Sequence, residues 1–129
     1  MIQQAALLLR AVFNSLPLEE FESEDELQAM SKKLSEENLL QLDDFIAMTD
    51  DKAAIEYLKE TKNFDLDNLE LLADILTTTS NKIVKINPEK HLAYKQKAFL
   101  LLSYVSEESK TFDWNRIQKI NQLKEELIK

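Results

Sequence analysis

The absence of glycine constrains this chain more than any other feature of its sequence. None of the 129 residues is glycine, and only two are proline. Glycine adopts positive φ at no steric cost, and tight β-turns and phosphate-binding loops depend on that freedom. All-β folds and dinucleotide-binding folds are therefore disfavoured. Helices joined by turns of asparagine, aspartate and serine are the architecture that remains.

The spacing of apolar residues agrees with this expectation. They recur at steps of three and four along almost the whole chain, which is typical of amphipathic helices. A helical domain of this length buries roughly two thirds of its unfolded surface and needs no disulfide or metal for its core. We predict a single all-α domain over residues 1–129, a compact bundle or hairpin stack of six to seven helices.

Start and stop signals divide the pattern into helices. The strongest is Asn87-Pro88-Glu89, with a capping residue, a proline at the first helical position and an acid behind it. We predict a first helix over Ile2–Asn14, a fifth over Asp67–Ile86, a sixth over Pro88–Ser106 and a last one from Trp114 to the end.

Several local expectations follow from cap chemistry. Ser23 with Glu26 has the spacing of a capping box, and Ser35 is predicted to cap the third helix. The loop 63–67 carries two aspartates as possible caps of the fifth helix. The β-branched triplet Thr77–Thr79 predicts a kink or a solvent contact within that helix.

Charge is divided unevenly along the chain. The net charge is −8, but residues 17–74 carry 18 acids and five bases, a net −13, whereas residues 75–129 carry six acids and ten bases, a net +4. An acidic protein is repelled by nucleic acid at long range, so we do not expect a nucleic-acid partner. The mildly basic half is expected to face the acidic half, within one chain or between chains.

Three segments resemble a known family. They are Met1–Gln4 with the apolar helix that follows, Phe64–Leu76, and Thr111–Ile120. Together they resemble a family of uncharacterised bacterial helical proteins with tetratricopeptide-like helical hairpins. The resemblance covers about half of the chain and implies a protein-interaction role, with one degenerate hairpin formed by the fifth and sixth helices. A full array would repeat near 34 residues, and Asn87-Pro88 has no counterpart at that distance.

The residues that usually carry chemistry are scarce. There is no cysteine, and His91 is the only histidine, predicted to lie at the surface or to cap a helix. The acid pairs Asp43-Asp44 and Asp50-Asp51 lack the glycine of an EF-hand and are read as helix caps. No nucleophile motif accompanies a serine or threonine. We therefore expect no catalytic residue, no cofactor and no metal.

The candidate partner-binding residues are acids and aromatics. The segment 19–26 holds six acids and no base, and Phe112 with Trp114 flanks the start of the last helix. Exposed aromatics are typical of binding hot spots, although a lone tryptophan at a helix start more often covers the core. Two tyrosines could line a groove between helices. The candidates are Glu19, Glu20, Glu22, Glu24, Tyr94, Tyr104, Phe112 and Trp114.

These features favour a non-catalytic interaction or adaptor module with an unknown protein partner. The alternative is an acidic inhibitor or immunity-type protein that neutralises a basic partner through its charge. The first helix is apolar enough for core packing or for a homodimer seam, and it lacks the lysine-rich face of membrane-surface helices. The N-terminus has no basic stretch typical of a signal peptide, so we expect a cytoplasmic protein without membrane association.

Overall fold

The computed structural model describes residues 2–36 and 39–128, with side chains from residue 5 onward. These residues form seven α-helices and no strand, and a π-helical turn, Tyr57–Thr61, continues the fourth helix. The prediction of a compact all-α bundle is confirmed. The helices are α1 Ile2–Ser15, α2 Glu24–Ser35, α3 Leu42–Ala47, α4 Asp51–Glu56, α5 Leu66–Lys82, α6 Pro88–Glu108 and α7 Trp114–Leu127.

The two longest helices, α5 and α6, form the centre of the bundle. They pack against each other as an antiparallel hairpin, α1 lies against α5, and α7 lies against α6. Burying each large aliphatic side chain contributes about 1.5–3 kcal/mol, so the hairpin supplies much of the stability. Its fully buried apolar residues are Leu69, Leu72, Ala73, Ile75, Leu76, Tyr94, Ala98, Leu101 and Leu102.

The hairpin turn is fixed by side chains from both helices. Asn87 caps α6 as predicted, since its side chain accepts a hydrogen bond from the Lys90 amide at 3.0 Å. The Nδ1 atom of His91 lies 2.6 Å from the Ser80 carbonyl oxygen. Because a carbonyl can only accept, Nδ1 carries the proton. His91 therefore ties the first turn of α6 to the last turn of α5.

Helix α5 ends at Lys82, four residues before the predicted end at Ile86. Ile83 leaves helical geometry, and the amides of Ile86 and Asn87 both turn back to its carbonyl oxygen. The Lys82 carbonyl instead accepts a hydrogen bond from the Phe21 amide at 2.9 Å. The apolar spacing runs on past the helix because Ile83 and Ile86 pack on the core from within the turn.

The caps around α2 differ from the sequence prediction. The Ser23 side chain makes no cap hydrogen bond, and a Glu26 carboxylate oxygen accepts from the Glu22 amide at 3.3 Å, so the capping box is incomplete. Ser35 is the last residue of α2 and donates to the Lys32 carbonyl. It therefore does not cap α3, which begins after Gln41.

The start and middle of α5 also test local expectations. Asp65 caps the helix by accepting from the Asn68 amide at 2.9 Å, whereas Asp67 lies inside the first turn. Of the two outcomes predicted for Thr77–Thr79, the solvent contact agrees with the structure, because Thr77 and Thr78 are half-buried and the helix runs through the triplet without a break. Thr77 donates its hydroxyl to the Ala73 carbonyl, and Thr79 is fully buried.

Helix α7 is held to the hairpin largely by ion pairs. Its fully buried side chains are Leu123 and Arg116, and the Arg116 guanidinium makes two hydrogen bonds to the Glu70 carboxylate of α5 at 2.9 and 3.2 Å. The Glu70 contact raises the pKa of Arg116 further above its ordinary value. Lys95 of α6 pairs with Glu126 at 3.0 Å. These contacts place α7 parallel to α5 and antiparallel to α6.

No helix within residues 2–36 and 39–128 combines the length and the apolar character that crossing a membrane requires.

The docking of α7 on the hairpin is tested by Glu70→Gln. This substitution removes the carboxylate that accepts two hydrogen bonds from the nearly buried Arg116 guanidinium. Hydrogen bonds to charged groups contribute about 1.5–3 kcal/mol, and we expect the free energy of unfolding in urea to fall by about that amount. The control is Glu20→Gln, because Glu20 pairs with Lys85 through largely exposed side chains. The control should change stability by less than about 0.5 kcal/mol. Equal losses in the two variants would contradict this account of α7.

Candidate functional site

Two adjoining cavities form a groove along the outer face of α6. One, of about 630 Å³, lies between α6, the α3–α4 connection and the end of α7. The other, of about 430 Å³, lies between α6, α4 and the π-helical turn. Asp51 and Leu100 line both, so the cavities adjoin each other. We call this the α4–α6 groove; three further hollows within the described ranges have volumes of about 300–370 Å³.

The floor of the α4–α6 groove is apolar and rests directly on the core. Most of its side chains are half-buried and pack against the fully buried residues beneath them, whereas Ile55 is itself a core residue. A half-exposed apolar surface of this kind gains free energy when a partner covers it, at about 25 cal/mol for each Å² removed from water. The apolar lining residues are Ile46, Met48, Ile55, Phe99, Leu100, Tyr104 and Leu127.

The α3–α4 wall of the groove is held by three polar contacts. Asp50 caps α4, accepting from the amides of Lys52 and Ala53 at 3.0 and 3.3 Å. The Tyr57 hydroxyl accepts from the Gln41 amide at 3.1 Å, which ties the start of α3 to the π-helical turn. The wall therefore has a defined position although both helices are only six residues long.

The π-helical turn closes the other end of the groove. Its Lys59 donates a hydrogen bond to the Tyr104 hydroxyl of α6, and this contact raises the pKa of Lys59. The turn ends at Thr61, and Asn63, two residues beyond it, has positive φ at 59°, a conformation that asparagine tolerates better than most residues other than glycine. Single π-helical turns are often found at functional sites because they shift side chains relative to a regular helix.

Tyr104 is the predicted groove residue that the structure places in the groove. Tyr94 is not accessible, and its predicted role at the groove surface is wrong, since its exposure is 0%. The two tyrosines are ten residues apart on α6, almost three turns, and the wide apolar surface of this helix meets the core at Tyr94 and the groove at Tyr104. Spacing alone could not separate the two faces.

Phe112 and Trp114 lie away from the core. Their exposures are 76% and 61%, and their ring centroids are 6.2 Å apart. The expectation that Trp114 covers the core is therefore wrong. Asp113 between them caps α7 by accepting from the Arg116 amide, which turns both neighbouring rings outward. A partner-binding role for this aromatic pair stays a prediction.

The acidic segment is attached to the bundle rather than free. Phe21 is buried in its middle, and Lys82 donates to the Leu18 carbonyl at 2.9 Å. Glu20 pairs with Lys85, and Glu24 accepts a hydrogen bond from the Asn87 side chain. Part of the charge thus serves contacts within the chain. Glu19 and Glu22 are exposed, and their role toward a partner stays a prediction.

The described part of the chain brings together no group of three or more histidine, aspartate or glutamate side chains with the spacing of a metal site. His91, the only histidine, is engaged with the Ser80 carbonyl.

Sequence reasoning missed most of the α4–α6 groove. It singled out Tyr104 but not Met48, Phe99 or Leu100, because apolar residues of α3 and α6 read equally well as core. It also did not separate Lys97 from the other bases of residues 75–129, whereas the structure buries Lys97 in the groove wall. The sequence signal that could have revealed the groove was the number of apolar residues on α6, which exceeds what a single neighbouring helix can cover.

Comparison with known proteins adds no assignment: no protein-family model, no curated protein and no solved structure matches this chain.

Burial makes Tyr94 sensitive to high pH. Burial, with smaller contributions from the Asp43 and Glu24 carboxylates, raises its pKa far above the ordinary 10.0. Above about pH 10 the unfolded chain releases this proton while the folded chain keeps it, so the free energy of unfolding falls as the pH rises. Below pH 10 the contribution is complete. Tyr94→Phe should reduce this fall, which urea unfolding between about pH 7 and pH 11 measures.

The same variant tests whether the Tyr94 hydroxyl has a structural partner. Within the described residues it makes no hydrogen bond. Removing an unpaired buried hydroxyl leaves no group unsatisfied, so Tyr94→Phe should stay within about 1 kcal/mol of the original stability at pH 7. A loss of several kcal/mol at pH 7, or an unchanged fall above pH 10, would show that the hydroxyl is not buried and unpaired.

Proposed function

We propose that the protein is a non-catalytic interaction module that binds a short helical segment of a partner protein in the α4–α6 groove. The observation that carries the proposal is the adjacency of two cavities, which share Asp51 and Leu100, over a largely apolar floor with walls held by specific contacts. Amphipathic helices bind in such grooves by placing apolar residues at steps of three and four into the floor.

The dimensions of the groove are compatible with a short helical segment. Its two parts have volumes of about 630 and 430 Å³, and α6 residues from Gln96 to Tyr104 line it. The eight steps of helix from Gln96 to Tyr104 extend about 12 Å at a rise of 1.5 Å for each step. That distance matches two turns of a bound helix, which present three or four apolar residues to one face.

The alternative, an acidic inhibitor of a basic partner, would use the exposed acids Glu19 and Glu22 instead. The two functions differ in their response to salt. Binding through charge on an exposed surface weakens steeply between about 50 mM and 500 mM salt, whereas burial of apolar surface does not. Strong salt dependence of a bound partner would favour the inhibitor.

The groove is tested by selecting helical peptides from a displayed library on the full chain and measuring their affinity for two variants. Ser103→Arg adds a long charged side chain inside the larger cavity. Thr111→Arg, the control, adds the same side chain to the exposed α6–α7 loop. We expect selected peptides with apolar residues at steps of three and four, and at least tenfold weaker binding to Ser103→Arg alone, a loss of about 1.4 kcal/mol.

Binding of the selected peptides to Ser103→Arg with undiminished affinity, while the variant shows the original circular dichroism spectrum, would contradict the proposed function. So would failure of the chain to select any peptide that competes for one site.

A further inference from the structure

A buried lysine lines the larger cavity of the α4–α6 groove. Lys97 of α6 is 9% exposed, and its ammonium donates a hydrogen bond to the Met48 carbonyl oxygen at 2.6 Å. The Nζ atom lies 5.9 Å from the centroid of the Phe45 ring. Both Lys97 and Met48 belong to the cavity lining. A positive charge is thus held at the edge of an apolar recess.

Lys97 differs from Lys95 and Arg116, the other two buried cations among the described residues. Lys95 pairs with the Glu126 carboxylate at 3.0 Å, and Arg116 pairs with Glu70 at 2.9 Å. Within the described ranges, no carboxylate oxygen lies within 4.0 Å of the Lys97 ammonium, although Asp51 lines the same cavity. Removing an ammonium from water is costly, and a carbonyl and a ring face offset this only in part.

The ammonium retains capacity for a further partner. It has three N–H donors, and the hydrogen bond to Met48 uses one of them. The strongest complement to an ammonium at low dielectric is a carboxylate, because a hydrogen bond between two charged groups is about twice as strong as a neutral one. The chemistry of the cavity wall therefore specifies an anion on an otherwise apolar ligand.

The remaining lining indicates what carries the anion. Ile46, Phe99 and Leu127 give the larger cavity apolar surface beside its polar residues Thr49, Gln96 and Ser103, and the adjoining cavity extends from Leu100 to Tyr104. An occupant that fills both parts extends well beyond the ammonium. A free small anion would gain no contact with that apolar floor.

We propose that Lys97 is a specificity-determining residue that binds the side-chain carboxylate of an aspartate or glutamate within the partner's helical segment. This inference rests on the proposed function of the groove. The bound segment places apolar residues on the floor and one acid opposite Lys97, so the buried ammonium gains a carboxylate when the complex forms.

The experiment uses one groove-binding peptide with an amidated C-terminus and its Glu→Gln counterpart, each measured on the full chain and on two variants. Lys97→Met removes the charge and keeps an unbranched apolar side chain. Lys124→Met, the control, removes an exposed charge on α7. On the original chain and on Lys124→Met, the Glu peptide should bind at least about tenfold more tightly than the Gln peptide; on Lys97→Met the ratio should fall to about one.

The outcomes separate the two proposals. Equal binding of the Glu and Gln peptides to the original chain would overturn the role of Lys97, even if Lys97→Met failed to fold. The groove would still stand in that case if Ser103→Arg abolished binding of both peptides. Binding that required a free C-terminus instead of the side chain would also overturn the inference. Insensitivity of both peptides to Ser103→Arg would overturn the proposed function itself.

Discussion

The packing of α5 against α6 is the interaction on which the rest of this structure depends. Leu69, Leu72 and Leu76 on α5 are fully buried against the inner face of α6. Truncating a buried leucine of this kind to alanine typically costs about 2–5 kcal/mol, more than any single polar contact on the surface. Helices α1, α3 and α7 contact this hairpin directly, α2 packs against α1 and α3, and the outer face of α6 becomes the floor of the groove.

The excess of acidic residues and the lack of glycine determine how the turns are made and how α7 is attached. Turns are made by capping side chains, with Asn63 as the one described residue in the left-handed region. Charge from the basic half compensates the acidic half through Arg116–Glu70, Lys119–Asp74 and Lys85–Glu20. The first two pairs fix α7, whose Leu127 lines one end of the groove. Electrostatic contacts thus help to position an apolar binding surface.

The sequence predicted where the helices lie better than it predicted which side of each helix is buried. Cap chemistry located the start of α6 at Asn87-Pro88 because the constraint is local to a few residues. The end of α5 was misplaced because Ile83 and Ile86 keep their apolar contacts in a turn that the Phe21 amide helps to define, more than 60 residues away in sequence. Tyr94 and Trp114 were assigned to the wrong environments for the same reason: burial depends on neighbours that periodicity does not reveal. Lys97 shows the limit most clearly, since nothing in its local sequence separates it from exposed lysines nearby.

We propose that a partner binds in the α4–α6 groove. The most direct measurement is the mapping of amide chemical shifts in an isotope-labelled sample as a selected helical peptide is added. The account predicts that the largest changes fall on Ile46–Thr49, on α4 and on α6 between Gln96 and Tyr104. Changes concentrated instead on Glu19–Glu26, or around Phe112 and Trp114, with the groove unaffected, would contradict it.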